Sequence, residues 1–382
     1  MKVLHVYKTF FPDTYGGIEQ VIESLATQAQ RLGVENRLLT LTQSEPRIDV
    51  DPSGLEIVRF KCDLYLASTG FSWQFFRNFK RHVEWADIVH VHFPWPFADF
   101  CYELMRVRKP TVVSYHADIV RPVFLNKLYQ PLLNRFFSHA DLICAASPGV
   151  LNSSPVLRRF KHKTKLVTYG IRHNHRQSSE GAEVCEWRKR YGTRFFLFLG
   201  ALRYYKGLHI LIEALEERDY PVVIVGVGRK QTELHAQVVD AGLKNVHFLP
   251  FVSNAQRASL MRAAYGFVLP SHLPSESFGI VLLEAAQQGT PMISCEIGTG
   301  TSYANQHQRT GLVVPPADPV KLREALDFFW QNPSQVEAWG EAAFERFGEH
   351  FKAEAMAKEY VEIYRSLKGS IGQCCRPQGA RI

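Results

Sequence analysis

Short, unbroken apolar runs recur along the whole chain, and stretches of helical period separate them. In the first half the runs are Val3–Tyr7, Arg37–Leu41, Leu55–Phe60, Ile88–His92, Thr111–Tyr115, Leu142–Ala146 and Leu166–Tyr169. In the second half they are Phe195–Leu199, Val222–Val225, Val246–Leu249, Gly266–Leu269, Met292–Cys295 and Leu312–Val314. A strand without in-and-out alternation must be covered on both faces, which is the condition of a parallel sheet layered between helices. Helices are expected over Ile18–Leu32, whose apolar positions are 18, 21, 22, 25, 26 and 29, and over Leu208–Leu215, Gln231–Ala241, Asn254–Ala264 and Val320–Trp330. The 382 residues suit two such α/β domains, each doubly wound and Rossmann-like. The boundary is expected in Arg172–Gly192, which is polar and lacks a strand, giving an N-terminal domain over 1–172 and a second over 173–352. After Pro333 the pattern is helical to about Lys368, and the tail 369–382 reads as disordered. Ligands of such domains bind at the carboxyl ends of the strands, so motifs in those loops carry most weight.

The best of these motifs is Ser275-Glu276-Ser277-Phe278-Gly279-Ile280-Val281-Leu282-Leu283-Glu284-Ala285. Glu276 lies in the loop before an apolar helix and Glu284 lies within it. Backbone N–H groups at the helix start, offered by Ser277, Phe278 and Gly279, suit phosphate, and the flanking acids suit sugar hydroxyls. Two solvated glutamates beside a buried helix explain the spacing equally well. Tyr15-Gly16-Gly17-Ile18-Glu19 opens the first helix, where glycine admits close backbone approach and the helix N-terminus favours an anion. Gly200-Ala201-Leu202-Arg203-Tyr204-Tyr205-Lys206-Gly207 places two cations after a strand; Arg203 can fork a phosphate and Lys206 supplies a point charge. Gly226-Val227-Gly228 ends the next strand and could lie under a flat base, although a plain turn accounts for it almost as well. His116 ends a strand and is followed by Asp118.

Other chemistries find less support. No Gly-x-Gly-x-x-Gly, Walker loop or Gly-x-Ser-x-Gly elbow occurs. His90-x-His92 and His173-x-His175 lack a third ligand at useful spacing, so no metal is expected. Asp49-Val50-Asp51 has an Asp-x-Asp spacing but precedes Pro52-Ser53-Gly54, and it reads as a turn. Seven scattered cysteines do not form a disulfide framework, and Cys374-Cys375 read as incidental. No apolar run is long enough to span a bilayer, and Met1–Tyr7 is too short for a signal peptide, so a cytoplasmic chain is expected. Residues 1–172 hold 22 Lys+Arg against 15 Asp+Glu, whereas 173–382 hold 23 against 22, so nearly all of the +8 charge lies in the first half. That favours an anionic partner there, such as a phospholipid surface. Phe71–His82 and Arg121–His139 mix aromatics with cations; as amphipathic helices they could dock on an anionic bilayer or simply face the core. Single-stranded nucleic acid also fits such a mixture, but no RNA-binding signature supports it.

Taken in order, Gly16-Gly17-Ile18-Glu19, His116, Arg203 with Lys206-Gly207, Glu276-Ser277-Phe278-Gly279 with Glu284, Gly289-Thr290-Pro291 and Thr310–Pro315 resemble the family 4 retaining glycosyltransferases of the GT-B fold, over nearly the full length. Leu4–Thr9, Tyr115–Val120 and Glu296–Tyr303 are most similar to bacterial transferases that build polymannose or D-rhamnan O-antigen. The resemblance implies two Rossmann-like domains facing across a cleft, with a C-terminal helix, 353–368, crossing back onto the first. It implies a GDP-sugar donor, a polyprenyl-diphosphate-linked saccharide acceptor, no metal or other cofactor, and a peripheral position on the inner membrane. It also implies roles: Gly16 and Gly17 near the donor diphosphate, Arg203 and Lys206 neutralising it, Glu284 on the ribose, Glu276 on the transferred sugar, and His116 beside that sugar. The base would lie between Gly226 and the turn at Val252. Many relatives read Gly-Arg at the strand end where this chain has Gly200-Ala201, so Arg203 is a less secure match than Lys206. The competing readings are a UDP-sugar-dependent family 4 transferase of another polysaccharide pathway, an epimerase of the same fold, and a non-catalytic nucleotide-sugar-binding peripheral membrane module; the closing motifs disfavour the epimerase, and the cation and acid pairs disfavour the non-catalytic module.

Overall fold

The computed structural model describes residues 1–119, 123–172 and 181–374, with side chains for 1–119, 128–172 and 181–369. The chain divides into two compact units. The first comprises Met1–Ala146, Ser154–Arg172 and the C-terminal segment from Ala353; the second comprises Ser147–Ser153 and His173–Lys352.

The first unit is built on the strands β1 (Lys2–Val6), β2 (Glu35–Thr42), β3 (Arg47–Val50), β4 (Glu56–Lys61), β5 (Leu64–Leu66), β6 (Thr69–Phe71), β7 (Ile88–Phe93), β8 (Thr111–Tyr115), β9 (Leu142–Ala145) and β10 (Thr164–Leu166). Its main sheet is ordered β10-β9-β8-β7-β1-β2-β4-β3, parallel throughout except for β3 at the edge, and β5-β6 form a separate hairpin. Tyr7, Phe10, Ile22, Ala26, Leu38, Leu55 and Ile57 form one core cluster, so the helix Gly17–Arg31 packs its apolar stripe onto β1, β2 and β4. The C-terminal helix Ala353–Cys374 packs on that same helix and returns Tyr360 and Tyr364 to the sheet, where they meet Ser114 and His90. It runs past the expected end at Lys368, because Gly369 weakens a helix by only about 1 kcal/mol and does not stop it.

The second unit carries β11 (Phe196–Leu199), β12 (Val222–Val225), β13 (Val246–Leu249), β14 (Gly266–Leu269), β15 (Met292–Cys295) and β16 (Gly311–Val314), all parallel, ordered β13-β12-β11-β14-β15-β16. In chain order that is 3-2-1-4-5-6, the dinucleotide-fold order whose switch point falls between β11 and β14. The first unit turns back in the same way between β1 and β7. Residues 147–153 group with the second unit; there a Cβ on Gly149 would lie 2.2 Å from the Thr299 carbonyl oxygen.

Several expectations shift. The run Leu166–Tyr169 is not the strand; β10 ends at Leu166, and Val167–Gly170 form the loop beyond it. Residues 47–50 form an edge strand rather than a loop, held by Arg59, whose guanidinium donates to Asp49 at 2.5 Å. Asp51 caps the following turn, accepting from Ser53 N and Leu55 N at 2.8 and 3.0 Å. Both acids of the Asp-x-Asp are thereby committed. The helix Ala182–Tyr191 occupies the expected linker, and His173, His175, Ser178 and Ser179 lie outside the described residues. In the helix Trp73–Trp85 the rings of Phe75 and Phe79 are fully buried, so most of that aromatic face belongs to the core. Phe136 and Phe137 of the helix Val123–His139 are buried likewise, while Arg121 and Pro122 lie outside the described residues and the side chains of Phe124 and Lys127 are not described.

Candidate active site

In the second unit β11 and β14 are neighbours, so the loops leaving their carboxyl ends emerge side by side. The loop after β11 closes in a turn at Tyr204–Lys206 and enters the helix Leu208–Ala214 through Gly207. Gly207 has φ +71°, and a Cβ there would lie 2.0 Å from the Pro270 carbonyl oxygen of the loop after β14. Glycine is therefore what lets the two loops touch. They are also tied by His272 N donating to Tyr205 O at 3.0 Å.

Across this contact Lys206 Nζ donates to Glu276 Oε2, and Ser271 Oγ donates to the same oxygen at 3.1 Å. Lys206 is 8% exposed and Glu276 9%. Burial alone would lower the pKa of Lys206, but the adjacent Glu276 carboxylate, helped by Tyr205, outweighs it and holds the ammonium above its ordinary value. The backbone of the acidic loop is pinned from behind: Thr299 Oγ1 donates to Glu276 O at 2.8 Å, and Gly300 N donates to Ser277 O at 2.9 Å. The Phe278 ring is buried against Tyr303 and Phe351, and Gly279, with φ +78°, starts the helix Ile280–Gln288.

Glu284 sits in the second turn of that helix and accepts from Arg257 Nη2 at 2.5 Å. Arg257, on the helix Asn254–Ala263, was not singled out from the sequence; it lies on another element, and its spacing to Glu284 carries no periodic signal. Arg203 is exposed, and its charge acts against that of Lys206. Gly226 follows β12 and stacks backbone to backbone on Gly200, while Val252 is buried two residues after Pro250. The structure thus brings Lys206 and Glu276 into direct contact, and it gives Glu284 a separate partner.

In the first unit Gly16 and Gly17 are exposed at the start of their helix, which has no side-chain N-cap. The Glu19 carboxylate folds back against Gly16, where a Cβ would meet its Oε2 at 2.4 Å. Glu19 Oε1 accepts from Thr9 and Thr14 at 2.9 and 2.6 Å, which fixes the loop after β1. An acid in the first turn complements the helix dipole.

His116 leaves β8 with its backbone N bonded to Phe93 O at 3.0 Å. Its ring is buried, and both nitrogens are engaged: Nε2 with His92 Nδ1 at 3.0 Å, and Nδ1 with the Tyr169 hydroxyl. Burial lowers its pKa to about 3. The histidines of β7 do acquire the third neighbour that their spacing lacked, because β1 pairs with β7 in the register His5 to His90. One ring nitrogen from each of His5, His90 and His92 lies within 4.8 Å of the others. All six of these nitrogens already have hydrogen-bond partners.

Two parallel-sheet units of dinucleotide-fold order are the architecture of the GT-B fold. The comparisons with known proteins agree. Residues 15–171 match the profile of Glycosyltransferase Family 4, and residues 183–346 match that of Glycosyl transferases group 1. The D-rhamnosyltransferase WbpZ of Pseudomonas aeruginosa is 49% identical over 354 residues, covering 92% of this chain and 93% of that one. The O-antigen chain mannosyltransferase C of Escherichia coli is 42% identical over 367 residues, covering 96% and 99%. Among solved structures, Anabaena Alr3699/HepE in complex with UDP and glucose superposes with a TM-score of 0.79 at 20% identity, covering 96% of this chain and all of that one, a likeness of fold. The chain belongs to the family 4 glycosyltransferases.

Proposed function

We propose that this transferase moves mannose or D-rhamnose from a GDP-sugar to a polyprenyl-diphosphate-linked saccharide in O-antigen and lipopolysaccharide biosynthesis, with retention of configuration and without a metal. The sugar and pathway are supported by two relatives, named for D-rhamnosyl and O-antigen mannosyl transfer, that match over more than nine-tenths of both lengths. The observation that carries the chemistry is the buried Lys206–Glu276 pair at the carboxyl edge of β11 and β14.

In this reading the pair opens when the donor binds. Lys206 turns to the diphosphate and stabilises the charge that develops as it leaves, and Glu276 accepts from hydroxyls of the transferred sugar. The exposed Arg203 has the freedom to join Lys206. Glu284, steadied by Arg257, accepts from the ribose, and the base lies near Gly226 and Val252. The N–H groups at Ser277, Phe278 and Gly279, and those at Gly16 and Gly17, favour phosphate oxygens. The acceptor hydroxyl attacks from the face that the diphosphate vacates, and the departing phosphate takes its proton. Glu276 thus holds sugar hydroxyls, and no carboxylate serves as the nucleophile that a retaining hydrolase would use.

Among the described residues no helix is long and apolar enough to cross a membrane. A cytoplasmic enzyme lying on the inner membrane would use the first unit's exposed Trp73 (63% exposed), Arg77, Lys80 and Arg81, beside the exposed Leu64, Tyr65 and Leu66 of the hairpin. Thermal shift against GDP, UDP and their sugars tests the donor: stabilisation by GDP and GDP-sugars is expected, and stabilisation by UDP alone would overturn the GDP assignment.

A further inference from the structure

The buried polar row in the first unit has a direction. Asn36 Nδ2 donates to the carbonyls of Ala26 and Val34 at 3.0 and 3.2 Å, so its Oδ1 is the atom that faces His5 Nε2 at 3.2 Å. An amide oxygen only accepts, hence His5 Nε2 carries a proton. A neutral imidazole has one proton, so His5 Nδ1 accepts, and its partner His92 Nε2, at 3.1 Å, donates. The same step repeats. His92 Nδ1 accepts from His116 Nε2 at 3.0 Å, and His116 Nδ1 accepts from the Tyr169 hydroxyl. One acceptor at the far end thus sets three tautomers in sequence. A second proton on His5 or His92 would turn N–H against N–H, and burial keeps His5, His92 and His116 neutral as well. His90 stands beside the row, stacked on His92 at 4.3 Å, and is satisfied separately by Ser114 Oγ at 2.7 Å and Tyr364 OH at 2.6 Å. The other groups around the row are Tyr7, whose ring edge meets His92 and His116, and Tyr360, bonded to Ser114.

We propose that Asn36, His5 and His92 are positioning residues: a one-way hydrogen-bond relay that holds His116 as the Nε2–H tautomer, so that its Nδ1 meets substrate only as an acceptor. The Tyr169 hydroxyl fills that place in this structure, and a hydroxyl of the bound saccharide exchanges for it. The positioning role rests on the proposed function together with the place that the family resemblance implies for His116, beside the transferred sugar; the tautomers do not. The relay also decides against the alternative use of these rings. A divalent cation held by His5, His90 and His92 would have to take a nitrogen from existing bonds on each of them.

The test is long-range ¹H–¹⁵N correlation on the full ¹⁵N-histidine-labelled chain at pH 7.5, with resonances assigned by single substitution. His5, His92 and His116 are expected to show protonated Nε2 and unprotonated Nδ1. Asn36→Leu removes the anchor without touching substrate, and His116 is then expected to populate the Nδ1–H form. Tyr169→Phe removes one hydroxyl. Because the sugar then replaces nothing, its donor KM is expected to fall about 3- to 10-fold, the worth of one hydrogen bond. His116 as Nδ1–H or as imidazolium, stoichiometric zinc bound through these rings, or an unchanged KM in Tyr169→Phe would each overturn the proposal. Correct tautomers in a wild-type chain that consumes no nucleotide sugar would leave the relay standing and remove its catalytic role, which separates the two failures.

Discussion

Acidification should unfold the first unit well above the pH at which carboxylates titrate. His5, His90, His92 and His116 are buried, and burial holds their pKa values far below the ordinary 6.5, to about 4 for His5 and about 3 for His116. In the unfolded chain the same groups titrate near 6.5. The unfolded state therefore binds more protons below that pH, and stability falls as pH falls, starting near 6.5 and continuing toward the folded values. Averaged from pH 7 to 5.5, each imidazole gains about 0.6 proton on unfolding, which costs about 1.2 kcal/mol apiece and about 5 kcal/mol for the four. His82, lowered to about 4, adds to the same trend. A loss of that size is comparable to the whole stability of many domains, roughly 5–15 kcal/mol. Urea titrations at pH 7.5, 6.5 and 5.5, followed by hydrogen exchange in β1, β7 and β8, would measure it. Stability in those strands that stays flat from pH 7.5 to 5.5 would refute the burial of four neutral imidazoles.

Glu276→Gln leaves a buried ammonium without its anion, so it should lower stability by about 3–5 kcal/mol and kcat by about 100-fold or more. Glu284→Gln should instead raise the donor KM, by about 10-fold, with kcat little changed, as steady-state kinetics on both variants would resolve. Gly207→Ala places a Cβ 2.0 Å from Pro270 O at φ +71°, and a thermal melt should show a loss of about 3 kcal/mol or more. Asp99 is buried with its pKa raised to about 8, so its folded state disfavours ionisation increasingly as pH rises above about 4; Asp99→Asn should raise the melting temperature, and more at pH 8 than at pH 5.

The sheets were legible because their strands are buried on both faces. Val222–Val225, Gly266–Leu269, Met292–Cys295 and Thr111–Tyr115 begin and end where the apolar runs do. The two edges of the first sheet were not. β3 and β10 are short and partly exposed, and pairing with one neighbour defines them, which no periodicity records. The loops carrying Lys206 and Glu276 could be placed at strand ends from the sequence. Their contact could not, since it depends on β11 and β14 being neighbours, a fact of sheet order. Arg257 was missed because a single arginine on a helix looks solvated until its partner helix is in place. The histidine row did leave a signal: His5, His90 and His92 interrupt strands that are otherwise apolar, and a polar group there must find partners inside. The resemblance that sets His116 beside the transferred sugar did not foresee that both its nitrogens are already engaged.

The central claim is metal-free, retaining transfer from a GDP-sugar at the Lys206–Glu276 pair. The most direct measurement incubates the chelator-treated chain with GDP-α-D-mannose and a polyprenyl-diphosphate-linked saccharide, then reads the one-bond C1–H1 coupling of the new linkage. An α linkage, formed at full rate without added metal and lost in Glu276→Gln, is the predicted result. A β linkage, a rate that returns only with a divalent cation, or undiminished transfer by Glu276→Gln would contradict it.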